Sequence, residues 1–169
     1  MALAALSMKS DFLGAMQMPN PQYRAYIQTW KAMDQLYHQQ AVRRELPDSA
    51  LWLAVSLYER GQACTPTELY ADCAMSKQTG HSALLWLEKR GLICQTPDPA
   101  DRRSKRVEWT EKGRAFAQSQ IAPFLAAEAA AFEALTPEEQ RTLTALTEKL
   151  TAALKTEMDR LSPSGKGTI

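Results

Sequence analysis

Histidine, cysteine and glycine are all scarce in this chain, with two, three and seven residues among 169. Two histidines, His38 and His81, leave no carboxylate–histidine cluster for a metal and no Ser/His/Asp set for nucleophilic catalysis. The glycines are scattered, so no glycine-rich loop exists to cradle a phosphate. Cys64, Cys73 and Cys94 are odd in number, and their spacings of nine and twenty-one residues match no CxxC or metal-ligand pattern. They read as reduced structural thiols. No apolar run approaches the ~20 residues needed to cross a bilayer. Met1 to Met18 is rich in Ala, Leu and Met but is interrupted by Lys9, Ser10 and Asp11, without the basic start or cleavage site of a signal peptide. These absences point away from an enzyme, a metal or a cofactor, and without an export signal the expected compartment is the cytoplasm.

Charge is present but unevenly placed. The net charge of +1 is uninformative by itself. From Ala74 to Arg114, however, nine Lys/Arg stand against five Asp/Glu, a local +4 that leaves −3 for the remainder. A basic middle between neutral-to-acidic ends suggests an anionic partner, with nucleic acid the leading candidate.

Apolar periodicity divides the chain into helices. Tyr23, Tyr26, Ile27, Trp30, Met33 and Tyr37 recur at helical spacing over about Pro21 to Arg44. Ala50, Leu53, Ala54, Leu57 and Tyr58 form the stripe of a second helix, which Gly61 ends. Thr65-Pro66-Thr67-Glu68 is a capping box opening a short helix to about Cys73. Ser76 caps the next helix, which runs to Arg90 with Gly91 as its stop. Two short helices separated by about three residues, the second starting with polar residues, form a helix-turn-helix pattern. Leu92 to Thr96 and Arg106 to Trp109 read as two strands joined by a basic loop, which makes a wing. Thr110 caps a long helix to about Leu135, with a bend expected at Pro123. Thr136-Pro137-Glu138-Glu139 opens a last helix along Leu143, Leu146, Leu150, Leu154, Met158 and Leu161.

The fold class is therefore mainly α with a small β-hairpin wing: a winged helix-turn-helix flanked by amphipathic helices. Residues 1–46 form an N-terminal extension and dimerisation helix, 47–110 the winged DNA-binding lobe, 111–161 the C-terminal dimerisation helices, and 162–169 a Gly/Ser/Pro tail expected to be disordered. The flanking apolar faces need a partner, and a two-fold interface with a second copy is the simplest solution.

Leu87-Glu88-Lys89-Arg90-Gly91-Leu92-Ile93, then Asp98-Pro99-Ala100-Asp101-Arg102-Arg103-Ser104-Lys105-Arg106-Val107, then Thr110-Glu111-Lys112-Gly113 resemble the MarR (multiple-antibiotic-resistance regulator) family of winged-helix proteins. The match runs from about Leu51 to Arg114, with a weaker echo after Leu135. The resemblance implies a homodimeric regulator, most often a repressor, on a pseudo-palindromic promoter site. It places Ser76, Lys77, Gln78, Thr79, His81 and Ser82 on or near the DNA-facing surface. Lys77 and Gln78 carry the groups that read base edges, while Ser76 and Thr79 suit phosphate. Arg102 and Arg103 fall at the wing tip, where a narrow minor groove attracts guanidinium, and Lys105 belongs to the same basic loop. Asp101 is the acid that steadies a wing arginine.

The sequence also departs from the family pattern. Gly80 replaces a branched apolar residue and is expected to leave a packing gap. Ser82 replaces a basic residue, Leu85 and Trp86 replace polar ones, and Trp109 replaces a leucine. Tyr26, Trp30, Tyr37 and Trp52 lie where the family binds effectors, suggesting a small aromatic or phenolic ligand. His81 reads as a solvent-facing helix residue. His38 sits near a helix C-terminus, where a cation is mildly favoured, and requires no further role. Two other readings remain open: an architectural or protein-interaction module, for which Gly80 and Ser82 speak, and a redox-responsive regulator acting through Cys73 or Cys94.

Overall fold

The computed structural model describes residues 20–99 and 104–161. The expected N-terminal extension, wing tip and C-terminal tail lie outside them. The chain forms two compact units, one ending at Gly113 and one beginning at Arg114.

In the first unit, α1 (Pro21–Arg43) starts where the Asn20 side chain accepts a hydrogen bond from the Gln22 amide at 2.9 Å, a cap that leaves Pro21 free to occupy the first turn. Only Ala41 of this helix is fully buried. Helix α2 (Asp48–Arg60) is the opposite case, burying Ala50, Leu51, Leu53, Ala54, Val55, Ser56 and Leu57. It is the central post against which α1, α3 and α4 pack. Gly61 ends it at φ 65°, a left-handed conformation that glycine adopts without Cβ strain.

Helix α3 (Pro66–Asp72) has the expected capping box: Thr65 Oγ1 accepts from the Glu68 amide at 3.3 Å, and Glu68 Oε2 accepts from the Thr65 amide at 2.6 Å. A tight turn follows, with Ala74 at φ 48°. Ser76 then caps α4 (Lys77–Lys89), its Oγ accepting from the Thr79 amide at 3.1 Å. Strands β1 (Ile93–Pro97) and β2 (Lys105–Trp109) pair antiparallel, with Ile93 opposite Trp109 and Pro97 opposite Lys105. Cys64 adds a bridging residue on the far side of β2, exchanging two backbone hydrogen bonds with Val107. Leu51, Leu53, Leu57, Leu69, Leu84, Leu87, Ile93 and Val107 make the core of this unit, each almost wholly buried. Burying one such side chain contributes about 1.5–3 kcal/mol.

The packing gap expected at Gly80 does not exist. A Cβ built there would lie 2.2 Å from Tyr70 Cδ1, 2.5 Å from Cε1 and 2.7 Å from Cγ. The Tyr70 ring from α3 fills the space that a branched residue would occupy, so Gly80 is what lets α3 and α4 approach. Because the clash reaches Cγ, near the root of the side chain, the ring cannot swing clear cheaply. Gly80→Ala should therefore cost about 2 kcal/mol despite its better helix propensity. Urea denaturation should show a lower midpoint, with part of the loss recovered in Gly80→Ala/Tyr70→Leu.

Helix α5 (Glu111–Phe116) leads out of the first unit. In the second unit the chain continues through a π-helical turn, Ala117–Ile121, into α6 (Ala122–Glu133). The bend expected at Pro123 takes this form. Proline lacks an N–H and its ring crowds the carbonyl four residues back, and the wider turn, closed by the Ala122 amide on Ala117 O, absorbs both effects. Thr136 and Glu139 form a second capping box at the start of α7 (Pro137–Leu161). Gln140 Nε2 donates to the carbonyls of Phe132 and Leu135, fixing the α6–α7 turn. No residue of α7 is fully buried. Among the described residues, no helix is long and apolar enough to cross a membrane.

Candidate nucleic-acid interface

The polar side of α4 is set by helical phase. Gly80, Ala83, Leu84 and Leu87 turn into the core, which leaves Lys77, Gln78, His81 and Ser82 exposed with Ser76 and Thr79 at the helix start. All six sequence-expected residues of the helix-turn-helix are thus on the surface. Two are partly engaged within the chain: Ser76 Oγ and Thr79 Oγ1 share a hydrogen bond of 2.9 Å in addition to the cap. Lys77, Gln78, His81 and Ser82 make up the outward-facing chemistry.

The surrounding side chains hold this surface in place. Arg60 of α2 reaches Asp72 of α3 through Nε at 2.5 Å and Nη2 at 2.9 Å, and Ser56 Oγ donates to the same carboxylate at 2.9 Å. Cys73 Sγ, at the turn itself, donates to Trp52 O at 3.4 Å. At the other end of α4, the Arg90 guanidinium lies over the Trp86 ring at 4.6 Å and pairs with Glu45 at 3.7 Å. Sequence periodicity could not have found the contacts of Arg60, Ser56 and Cys73 or the Arg90–Glu45 pair, because each joins two elements through single side chains.

The hydrogen bonds from Arg60 and then Ser56 hold the Asp72 carboxyl below its ordinary value. Backbone and side-chain hydrogen bonds from Thr65 do the same for Glu68. A carboxylate depressed in the folded state contributes stability above its unfolded pKa and loses it as pH falls through the folded value. The first unit should therefore weaken below about pH 4. Asp72→Asn should flatten that acid limb of a stability–pH curve while lowering stability at neutral pH. An unchanged acid limb would count against the clamp.

At the wing, Arg102, Arg103 and Asp101 lie outside the described residues. The base of the wing is described, and its acid is Asp98. This side chain is almost buried and sits 3.5 Å from Arg106 Nη1, while Arg106 Nη2 donates to Ala63 O. The Asp98 amide donates to Ser104 O at 3.0 Å, closing the loop. Sequence reasoning placed Asp98 and Arg106 in the wing motif and Arg106 on its second strand but did not pair them. Lys105, the first residue of β2, is exposed as expected.

Of the four aromatic residues expected around an effector, the structure joins two. Tyr37 and Trp52 have ring centroids 5.1 Å apart, at 57°. Tyr26 and Trp30 lie further towards the start of α1 and are 45% and 53% exposed. A cleft of about 320 Å³ occurs in the second unit, lined by Phe132, Gln140, Arg141, Thr144, Ala145 and Glu148, and none of the four contributes to it. His38, for which no further role was expected, contacts the start of α2: its Nδ1 lies 2.9 Å from Asp48 Oδ1. The three cysteines form no disulfide. Burial pushes the Cys64 and Cys73 thiols up, which disfavours the reactive thiolate.

No protein-family model matches the chain, and no curated protein matches it. Solved structures do. The chain is similar to MepR of S. aureus in its DNA complex, at 19% identity over 80% of this chain and 99% of that one, with a TM-score of 0.65. BpsR of Bordetella bronchiseptica, whose DNA binding is regulated by 6-hydroxynicotinic acid, is 21% identical over 80% and 96%, with a TM-score of 0.63. The transcription regulator MarR of Oenococcus oeni PSU-1 is 14% identical over 78% and 98%, with a TM-score of 0.62. A mainly helical chain with one antiparallel hairpin after a helix-turn-helix, superposing on these regulators, has the MarR-type winged helix fold.

Proposed function

We propose that this protein is a MarR-family transcriptional regulator, a DNA-binding protein rather than an enzyme, that acts in the cytoplasm on the nucleoid. The observation that carries the reading is the outward face of α4. Lys77, Gln78, His81 and Ser82 stand exposed on a helix whose other side is locked into the core, and a basic wing follows directly. A helix presented in this way fits the major groove, whose base edges match amide and ammonium side chains. Arg102 and Arg103 at the wing tip, supported by Asp101, and Lys105 beside them supply the charge for phosphates and an adjacent minor groove. The similarity to MepR in its DNA complex supports DNA as the partner of this chain.

The protein works as a homodimer. Tyr23, Tyr26, Trp30, Met33 and Leu36 on α1, and Leu143, Leu146, Leu154, Met158 and Leu161 on α7, are exposed large apolar side chains. Faces this apolar mark an interface, and a second copy also supplies the two-fold symmetry that a palindromic site requires. Bound across a promoter, the dimer blocks polymerase and represses. A small aromatic or phenolic effector binding near Tyr37 and Trp52 re-spaces the two winged lobes and releases the DNA. The regulation of BpsR's DNA binding by 6-hydroxynicotinic acid supports a small-molecule effector.

The architectural alternative loses half of its support, because Gly80 is filled by Tyr70 and is not a defect. The redox alternative is weakened at Cys73, whose thiol burial pushes up, and still rests on Cys94. Selection from randomised duplex DNA tests the reading. Enrichment of a two-fold symmetric site by a species of twice the 18.9 kDa chain mass is expected. A monomer that enriches no site would contradict it.

A further inference from the structure

Leu85 is a residue of α4 that the function above does not use. The buried residues Gly80, Ala83, Leu84 and Leu87 occupy one side of the helix. At ~100° per residue, the opposite side carries Gln78, Ser82, Leu85 and Lys89, with His81 beside them. Leu85 is 47% exposed in the middle of a stripe whose other members are all hydrogen-bonding or cationic. A lone exposed leucine needs no explanation in general. This one lies seven residues beyond Gln78 on the same face, about 10 Å along the helix axis and close to three base-pair steps of duplex. Packing does not call for it, since four other residues fill the core side of α4.

We propose that Leu85 is a specificity-determining residue that contacts the 5-methyl group of a thymine in the major groove. The inference rests on the DNA reading above and adds the identity of one base. The thymine methyl is the apolar feature of the major-groove edges, whereas every other group there is a donor or an acceptor. A leucine pressed against such a polar edge would strip it of water and return no hydrogen bond. Against a methyl group it removes apolar surface on both sides from water. The rest of the stripe agrees: Gln78 is suited to the N6 and N7 atoms of adenine, so an A·T-rich half-site fits both side chains. Each half-site should thus carry a thymine about three base pairs from the base read by Gln78.

The two-fold site enriched by selection is resynthesised with uracil replacing thymine at one position per half-site at a time, which removes only the methyl group. Binding is followed by fluorescence anisotropy for wild type and for Leu85→Ala, whose melting transition is compared with wild type. At one thymine position, the wild type should bind about fourfold more weakly per methyl removed. At the same position Leu85→Ala should be indifferent to the change. A wild type that tolerates uracil at every position would overturn the inference while leaving the regulator reading intact. So would a Leu85→Ala variant that loses as much as wild type. Failure to enrich any site would overturn the DNA reading itself and this inference with it.

Discussion

Gly113→Ala should unfold the winged lobe or come close to it. A Cβ at this position would lie 1.7 Å from Leu92 O, 2.7 Å from Leu92 C and 2.8 Å from Trp109 Cε3. The first two atoms are backbone, and that backbone is committed. Leu92 O accepts from the Thr110 amide at 3.0 Å, and Thr110 Oγ1 donates to Gly91 O at 2.7 Å while accepting from the Gly113 amide at 2.9 Å. Lys112 Nζ ties the same seam to Arg90 O at 2.8 Å. The start of α5 is therefore laid directly on the chain leaving α4, with no room for a methyl group. Overpacking a tight site costs about 1–3 kcal/mol and sometimes more, and a clash with fixed backbone belongs at the upper end, near 3 kcal/mol or above. Alanine would otherwise improve the helix by about 1 kcal/mol, so any net loss measures the close approach. Urea denaturation should show a large fall in midpoint. A variant as stable as wild type would mean that α5 does not meet Leu92 as described.

Much of the architecture was legible from local chemistry. Thr65 with Glu68, Ser76, and Thr136 with Glu139 cap the helices where their spacing places them. Ala50, Leu53, Ala54 and Leu57 of the expected α2 stripe are buried, whereas Tyr58 is half-buried and Leu51, Val55 and Ser56 are buried beside it. Caps and stripes are decided within a few residues, so the sequence displays them. What it hid depends on residues meeting across elements. Tyr70 filling the notch at Gly80, Asp48 receiving His38, and Asp98 holding Arg106 all involve partners eight to ten residues apart that share no periodicity. Asn20 as the first cap, and the π-helical turn before Pro123, escaped because several local solutions were open at each point. The interface followed the same division. The outward phase of α4 was expected from the family resemblance, whereas nothing in the sequence showed the clamp of Arg60 and Ser56 on Asp72 that holds its partner helix.

The second large effect belongs to that outward phase. Lys77 and Gln78 are the first two residues of α4, and both are exposed. Their backbone positions are held by the Ser76 cap, and their side chains are not used in the core. Truncating them should therefore leave folding untouched. In the groove each would carry direct hydrogen bonds to base edges, and losing one good contact of this kind costs about 1–3 kcal/mol. Together they should account for a loss of about thirtyfold or more. The loss of Gln78 should fall on specificity, because an uncharged amide contributes little to the attraction between a basic surface and phosphates.

The most direct measurement is the affinity of wild type and of Lys77→Ala/Gln78→Ala for the selected site and for a scrambled duplex of equal length, at one fixed salt concentration. The double variant should melt like wild type, lose at least about thirtyfold on the selected site, and lose far less on the scrambled duplex. Equal binding of the selected site by both proteins would contradict the assignment of α4 as the reading helix.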